Sequence, residues 1–360
     1  MRTARTLTAA LTGTTGHLVT VEADIANGLP ATILVGLPDT ALREARDRIR
    51  AAIINAGERW PDSKITVSLA PASLPKRGSA FDLAIAIAIM AANDDLPELP
   101  ENLLFLAELG LDGRLRPVPG VLPAVLAAAG SGVDTVVVAA ANHGEAALVP
   151  DLSVVSARSL TQIVAWLRGG PAPQTEPPPP ADGTDPALAR PLPDLAEVLG
   201  QAEARLAAEI CAAGGHHLSL LGPPGAGKTM LAERLPTILP PLEVPAAIEV
   251  TSIHSVAGRM APGSGLMTVP PFCAPHHTSS MASIVGGGSG VISPGAASLA
   301  HLGILFLDES RKVLRIHRRG HSIRGGALTE GIYAGQGTFG GAVRRAGAGG
   351  RAWCSGGVLP

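Results

Sequence analysis

Along the first 170 residues, short apolar runs of strand character alternate with longer stretches of helical periodicity. Residues 17–23, 31–35, 64–69 and 135–139 carry the strand-like runs, and residues 39–56, 81–92 and 121–129 carry the helical ones. This alternation predicts one mixed α/β domain over residues 1–170. The longest apolar run, LAIAIAIMAA at residues 83–92, is about half of what a membrane-spanning helix requires, so it predicts a buried helix or strand. Residues 171–193, PAPQTEPPPPADGTDPALARPLP, combine dense proline with small and polar side chains that stiffen the backbone and have nothing to bury, which marks a linker. Beyond it the pattern predicts a helix over 195–213 that runs into Gly214-Gly215. A strand at 217–221, a Gly-rich loop and a helix from Lys228 onward follow.

Composition adds limits. A length of 360 residues suits two domains, and 46% hydrophobic with 16% charged residues excludes a wholly disordered chain. The net charge of −2 names no partner but conceals an asymmetry. Arg311, Lys312, Arg315, Arg318, Arg319, Arg324, Arg344, Arg345 and Arg351 crowd the last fifty residues against one acid, Glu330, so the body is acidic. Cys211, Cys273 and Cys354 are far apart and form no CxxC pair, which indicates neither a disulfide framework nor a cysteine-rich zinc site and fits a reducing cytoplasm. Thr and Gly interrupt the residues after Arg2 and Arg5, leaving no apolar signal region. The expectation is a cytoplasmic protein with no membrane partner.

The candidate chemistry lies in the Gly-rich loop, Gly222, Pro223, Pro224, Gly225, Ala226, Gly227, Lys228 and Thr229. A glycine-rich turn between an apolar strand and a helix lets backbone N–H groups and the positive end of the helix dipole converge on a phosphate chain. In this spacing Lys228 reaches the β and γ phosphates and Thr229 supplies a hydroxyl ligand to Mg²⁺, the pattern of a P-loop for ATP or a similar nucleotide. About eighty residues on, GILFLDE at 303–309 is an apolar strand ending in two acids. Asp308 is placed to hold Mg²⁺ and Glu309 to orient or deprotonate the attacking water. Together the two motifs specify phosphoryl transfer to water.

These residues resemble the YifB/ComM group of magnesium-chelatase-like AAA+ ATPases. The likeness runs from about residue 6 to Glu309 through GLPATILVGLPDTALREARDRIRAAI, ITVSLAPASLPKRGSAFDLAIAIAI, AAGGHHLSLLGPPGAGKTMLAERLPTILPPL, APHHTSS and SLAHLGILFLDE, in order. It implies an α/β fold: a Lon-protease-like (ribosomal S5 domain 2-like) ChlI-type first domain over 1–170, the linker, and an incomplete P-loop AAA+ module over 194–309. It further implies ATP and Mg²⁺ as cofactors and assembly into a hexameric ring. ComM-type members are associated with DNA branch migration, while magnesium chelatase uses a related motor to insert Mg²⁺ into porphyrin. A porphyrin-chelatase motor subunit and a non-enzymatic interaction module stay open as alternatives.

Three features qualify the likeness. Lon-type peptidases place their serine in PKxGPSAG; here Pro75, Lys76, Arg77 and Gly78 are followed by Ser79 and then Ala80, so Ala80 takes the nucleophile position and no protease is expected. Ser79 and Asp82 read as helix N-terminal residues. His276 and His277, with Cys273 nearby, lack zinc-ligand spacing and read as a loop, and VGGGSG at 285–290 lies where ring ATPases carry pore loops. After Glu309 the likeness stops: residues 310–360 are Gly- and Arg-rich, show no sustained periodicity and look truncated or frameshifted, or else form a basic tail that binds nucleic acid. The tail is expected to be disordered. A gap is expected between the P-loop strand and the acidic strand, where relatives place a sensor strand.

Overall fold

The alternating pattern resolves, in a computed structural model of the chain, into two units: residues 1–184 with 254–265, and residues 185–253 with 266–360. The structure describes residues 2–36, 39–76, 78–173, 193–287, 293–308, 331–334 and 352–354. Most of the predicted linker and Arg-rich tail therefore lies outside the described residues, as do residues 288–290 of the VGGGSG segment.

In the first unit the elements run β1 (Arg2–Thr12), β2 (Thr15–Ala26), β3 (Ala31–Val35), α1 (Asp39–Asn55), β4 (Lys64–Ala70), α2 (Asp82–Ala92) and β5 (Leu103–Leu106). They continue with β6 (Glu108–Leu109), β7 (Leu115–Arg116), α3 (Val121–Ala129), β8 (Thr135–Ala139), α4 (His143–Ala146), β9 (Ser153–Ala157) and α5 (Leu160–Leu167). Seven strands form a mixed sheet in the order β3-β4-β2-β1-β5-β8-β9. The β5-β8-β9 half is parallel, and the β1-β2 hairpin is antiparallel from Arg2↔Ile25 to Thr12↔Thr15.

The predicted bounds of β3, α3 and β8 are those observed, whereas β1 has no counterpart in the hydrophobic pattern. Its sequence, RTARTLTAALT, puts threonine on the inward face: Thr6 and Thr8 are buried, and Thr6 Oγ1 donates to Ala84 O at 2.9 Å. A hydrogen-bonded threonine fits a pleated interior without supplying the apolar alternation that announces a strand.

The apolar run at 83–92 is a helix, α2, buried at every position except Ala91. A helix apolar all round must be enclosed, and α2 lies on β1 and β2 with α1 beside it. Asp82 opens α2 and is 1% exposed at its side chain. Arg48 of α1 grips it through Nε–Oδ2 at 2.6 Å and Nη2–Oδ1 at 3.0 Å, and Leu109 N–H donates to Oδ2 at 3.3 Å. Ser79 Oγ donates to Glu108, while buried Lys76 donates to Pro71 O and, at 3.1 Å, to Leu74 O. Serine and lysine thus serve different acceptors, and no hydrogen bond joins them among the described residues.

The second unit contains α6 (Ala202–Gly214), β10 (Leu218–Leu220), α7 (Lys228–Ala232), α8 (Val244–Val256) and β11 (Phe272–Cys273). Then come α9 (Met281–Val285), β12 (Gly286–Gly287), β13 (Ser293–Pro294), α10 (Ala296–Leu299), β14 (Ile304–Leu307), β15 (Gly331–Ala334) and β16 (Ala352–Cys354). The last residues of α8 fall within the first unit. Five strands order as β11-β14-β15-β10-β16. Here the structure corrects one expectation, the gap between the two strands. The slot between the P-loop strand β10 and the acidic strand β14 is filled by Gly331–Ala334, antiparallel to both, and Ala352–Cys354 pairs with the other edge of β10. Unpaired strand edges attract any segment able to complete their ladder, and two short pieces of the tail do so. Among the described residues no helix is long and apolar enough to cross a membrane.

Candidate nucleotide site

The segment predicted as one helix over 195–213 is broken. Residues 195–197 form a single 3₁₀ turn, Gly200 and Gln201 take positive φ (73° and 50°), and α6 starts only at Ala202. The break turns Gln201 toward the Gly-rich loop, where its Nε2 donates to Ala226 O at 3.2 Å. Gln201 is the residue that periodicity missed. Its signal was local, a Gly-Gln pair inside an otherwise helical pattern.

The loop leaves β10, folds through a turn closed by Ala226 N–H donating to Pro223 O at 3.2 Å, and enters α7 at Lys228. Gly225 and Gly227 have φ of 83° and 79°, a conformation that a side chain strains, so glycine is required at both. Lys228 Nζ donates to Gly222 O at 3.0 Å and Pro223 O at 3.3 Å, which holds the ammonium across the mouth of the loop. Thr229 is exposed beside it at the start of α7. The first amides of a helix lack intrahelical acceptors, so lysine, hydroxyl and backbone donors share one concave turn.

Asp308 directly follows β14; Glu309 lies outside the described residues. Strand register relates Asp308 to the loop. Leu218 and Phe306 both face Ile332 across β15, and Ser219 and Leu307 both face Gly331. Each antiparallel to β15, β10 and β14 are parallel to one another and two strand spacings, roughly 10 Å, apart. The loop and Asp308 therefore leave the same, carboxyl-terminal edge of one sheet, where open α/β sheets bind ligands. His276 and His277 make local contacts: their ring centroids lie 4.0 Å apart with the planes tilted by 35°, and His276 Nδ1 bonds within its own loop to Thr278 Oγ1 at 2.7 Å.

The two halves of the chain match two related family models, Subunit ChlI of Mg-chelatase over residues 21–142 and Magnesium chelatase, subunit ChlI over residues 194–318. YifB of Escherichia coli is 44% identical over 304 residues, covering 84% of this chain and 58% of YifB. Competence protein ComM of Haemophilus influenzae is 43% identical over 307 residues, covering 84% and 60%. The chain belongs to the YifB/ComM magnesium-chelatase-like family. A Mycobacterium tuberculosis member, the uncharacterized protein Rv2897c, is 52% identical over 316 residues, covering 87% of this chain and 61% of its own. The chain thus spans about three fifths of the length of these YifB/ComM relatives. Lon protease 2 of Thermus thermophilus is 28% identical over 142 residues, 38% of this chain, in keeping with the Lon-like α/β reading.

Proposed function

We propose that residues 222–229 bind ATP with Mg²⁺ and that this YifB/ComM-type chain is an ATP hydrolase whose turnover is reduced. The observation that carries the reading is the common sheet edge of the P-loop and Asp308, one strand apart. The loop fits a phosphate chain: glycines 225 and 227 hold its positive-φ turn, and the Lys228 ammonium already bridges two carbonyls across its mouth. Lys228 would release those carbonyls to pair with phosphate oxygens, the Thr229 hydroxyl and the Asp308 carboxylate would hold the metal, and Glu309 would orient the attacking water. Mg²⁺ supplies neutralisation of the charge that develops on the phosphate oxygens.

Reduced turnover is supported by what β15 delivers. β15 occupies the slot where the family likeness implies a sensor strand, but it runs antiparallel to both neighbours, with Gly331 opposite Ser219 and Leu307. The proposal includes coupling of hydrolysis to nucleic-acid remodelling, in line with the likeness to a relative named Competence protein ComM.

Titration of the purified chain with a fluorescent ATP analogue and Mg²⁺ tests the site. Lys228→Ala is expected to weaken binding at least tenfold, and unchanged binding overturns the nucleotide reading. ATP turnover equal to that of Escherichia coli YifB and abolished by Lys228→Ala would leave the site standing but remove the claim of reduced hydrolysis.

A further inference from the structure

Helix α8 belongs to the nucleotide-binding half of the chain, yet its last residues and the turn after them, residues 254–265, are part of the N-terminal unit. The excursion has a defined base. Thr251 Oγ1 donates to Ala247 O at 2.6 Å and accepts from Met267 N–H at 3.0 Å, fastening the points where the chain departs and returns. Its turn is a helix C-cap: Gly258 has φ of 66°, its N–H donates to Ser255 O at 2.9 Å, and Arg259 N–H donates to His254 O at 2.9 Å.

Within the N-terminal unit this segment is built in. Ser255 is 1% exposed, and its hydroxyl donates to Glu145 Oε1, the same oxygen that accepts Leu122 N–H at 2.9 Å in the first turn of α3. Ser255 O accepts Gly120 N–H at 3.0 Å, one residue ahead of that helix. Glu145, 8% exposed, has as its remaining hydrogen-bond donor Asn142 Nδ2 at 3.5 Å, and Asn142 also accepts Val118 N–H at 2.9 Å. The backbone comes equally close at the far end, where a Cβ built on Gly144 would lie 3.1 Å from Gly263 Cα. A buried carboxylate is stable only with donors on both oxygens, and here one of them arrives from a segment more than a hundred residues away.

We propose that residues 254–265 are a strap with which the nucleotide-binding half completes the N-terminal unit, Ser255 on Glu145 being its catch. The unit formed by the first 184 residues is then not an independent module. A displacement of α8 acts on Glu145, and through Glu145 and Gly120 on the start of α3. The proposal does not depend on nucleotide binding and holds whether or not residues 222–229 bind ATP.

Hydrogen exchange on the full chain tests it, with the amides of β10 as internal control. In the unsubstituted protein the Gly120, Gly258 and Arg259 amides are expected to be protected like those of α2. Ser255→Ala, which removes the catch, is expected to speed exchange at Gly120, Leu122 and residues 258–259 about tenfold. Gly144→Val, which pushes the strap away without touching Ser255, is expected to do the same and to expose Arg259 to trypsin. Acceleration in neither variant, acceleration that includes β10 equally, or tryptic cutting at Arg259 in the unsubstituted protein with Gly120 still protected would each overturn the strap.

Discussion

The two units solve the problem of covering a sheet in opposite ways. In the first, β1 and β2 pair over eleven consecutive positions, and the fully apolar α2 lies on them, so the interior comes mostly from elements close in sequence. In the second, no strand exceeds four residues, and the slot between the two functional strands is filled by Gly331–Ala334, which follows the nearer strand β14 by more than twenty residues. Long local ladders make the sheet of that unit tolerant of changes elsewhere in the chain, with residues 254–265 as the exception. A short sheet closed by a distant segment depends on each pairing, and the candidate nucleotide site sits on that sheet.

The largest expected effect lies in the first unit, at the buried Arg48–Asp82 ion pair. Arg48→Met leaves the Asp82 carboxylate enclosed with only Leu109 N–H as donor, and breaking one side of such a pair costs about 3 kcal/mol near neutral pH. Burial already pushes Asp82 above the ordinary carboxylate range, opposed by the Arg48 hydrogen bonds and by Leu109 N–H. Without Arg48 the folded-state value climbs further. Between the unfolded value and the raised folded one the native state binds more protons than the unfolded chain, so stability is regained as pH falls through that window. Urea unfolding at pH 8 and pH 5 should show the larger loss at pH 8; equal losses would rule out an uncompensated carboxylate as the cause.

A smaller effect is expected where the second sheet is closed. Ile332 faces Leu218 on one side and Phe306 on the other, so Ile332→Pro inserts a residue without an N–H into an interior strand. Loss of one ladder bond with its acceptor left unpaired costs on the order of 2 kcal/mol. Thermal unfolding should lower the transition of the second unit and leave that of the first in place. An unaltered second transition would mean that β15 does not hold β10 and β14 together.

The contrast between the units also accounts for what was legible in the sequence. Strands β3 and β8 and helix α3 were readable to the residue because each is a compact apolar run set off by turn-forming residues. Strand β1 was hidden because the polar residues Thr6 and Thr8 occupy inward positions, Thr6 with a hydrogen bond to Ala84 O. The succession of strand, Gly-rich loop and helix around residues 218–232 was legible from its local order, and the strand ahead of Asp308 from its plainly apolar run. The four-residue GIYA of β15 carries no periodicity, and its position is set by two strand edges elsewhere in the chain. Ser255 and Glu145, 110 positions apart, are joined by packing that no local pattern records.

Gln201 gives the smallest effect and the sharpest test of how a distant pairing shapes the site. Its amide reaches the loop only because the chain breaks at Gly200 and restarts as a helix at Ala202, and there it donates to Ala226 O. Gln201→Ala removes that donor from a partly exposed carbonyl, a loss of about 1 kcal/mol, or roughly fivefold, in whatever the loop binds. Because the bond ends on Ala226 O in the Gly-rich loop and touches no strand of the sheet, the change should appear in nucleotide affinity with no shift in the unfolding of either unit. A matching fall in the second unit's unfolding temperature would show that Gln201 supports the sheet rather than the loop. Unchanged affinity with unchanged unfolding would show that the glycines and Lys228 fix the loop without help from α6.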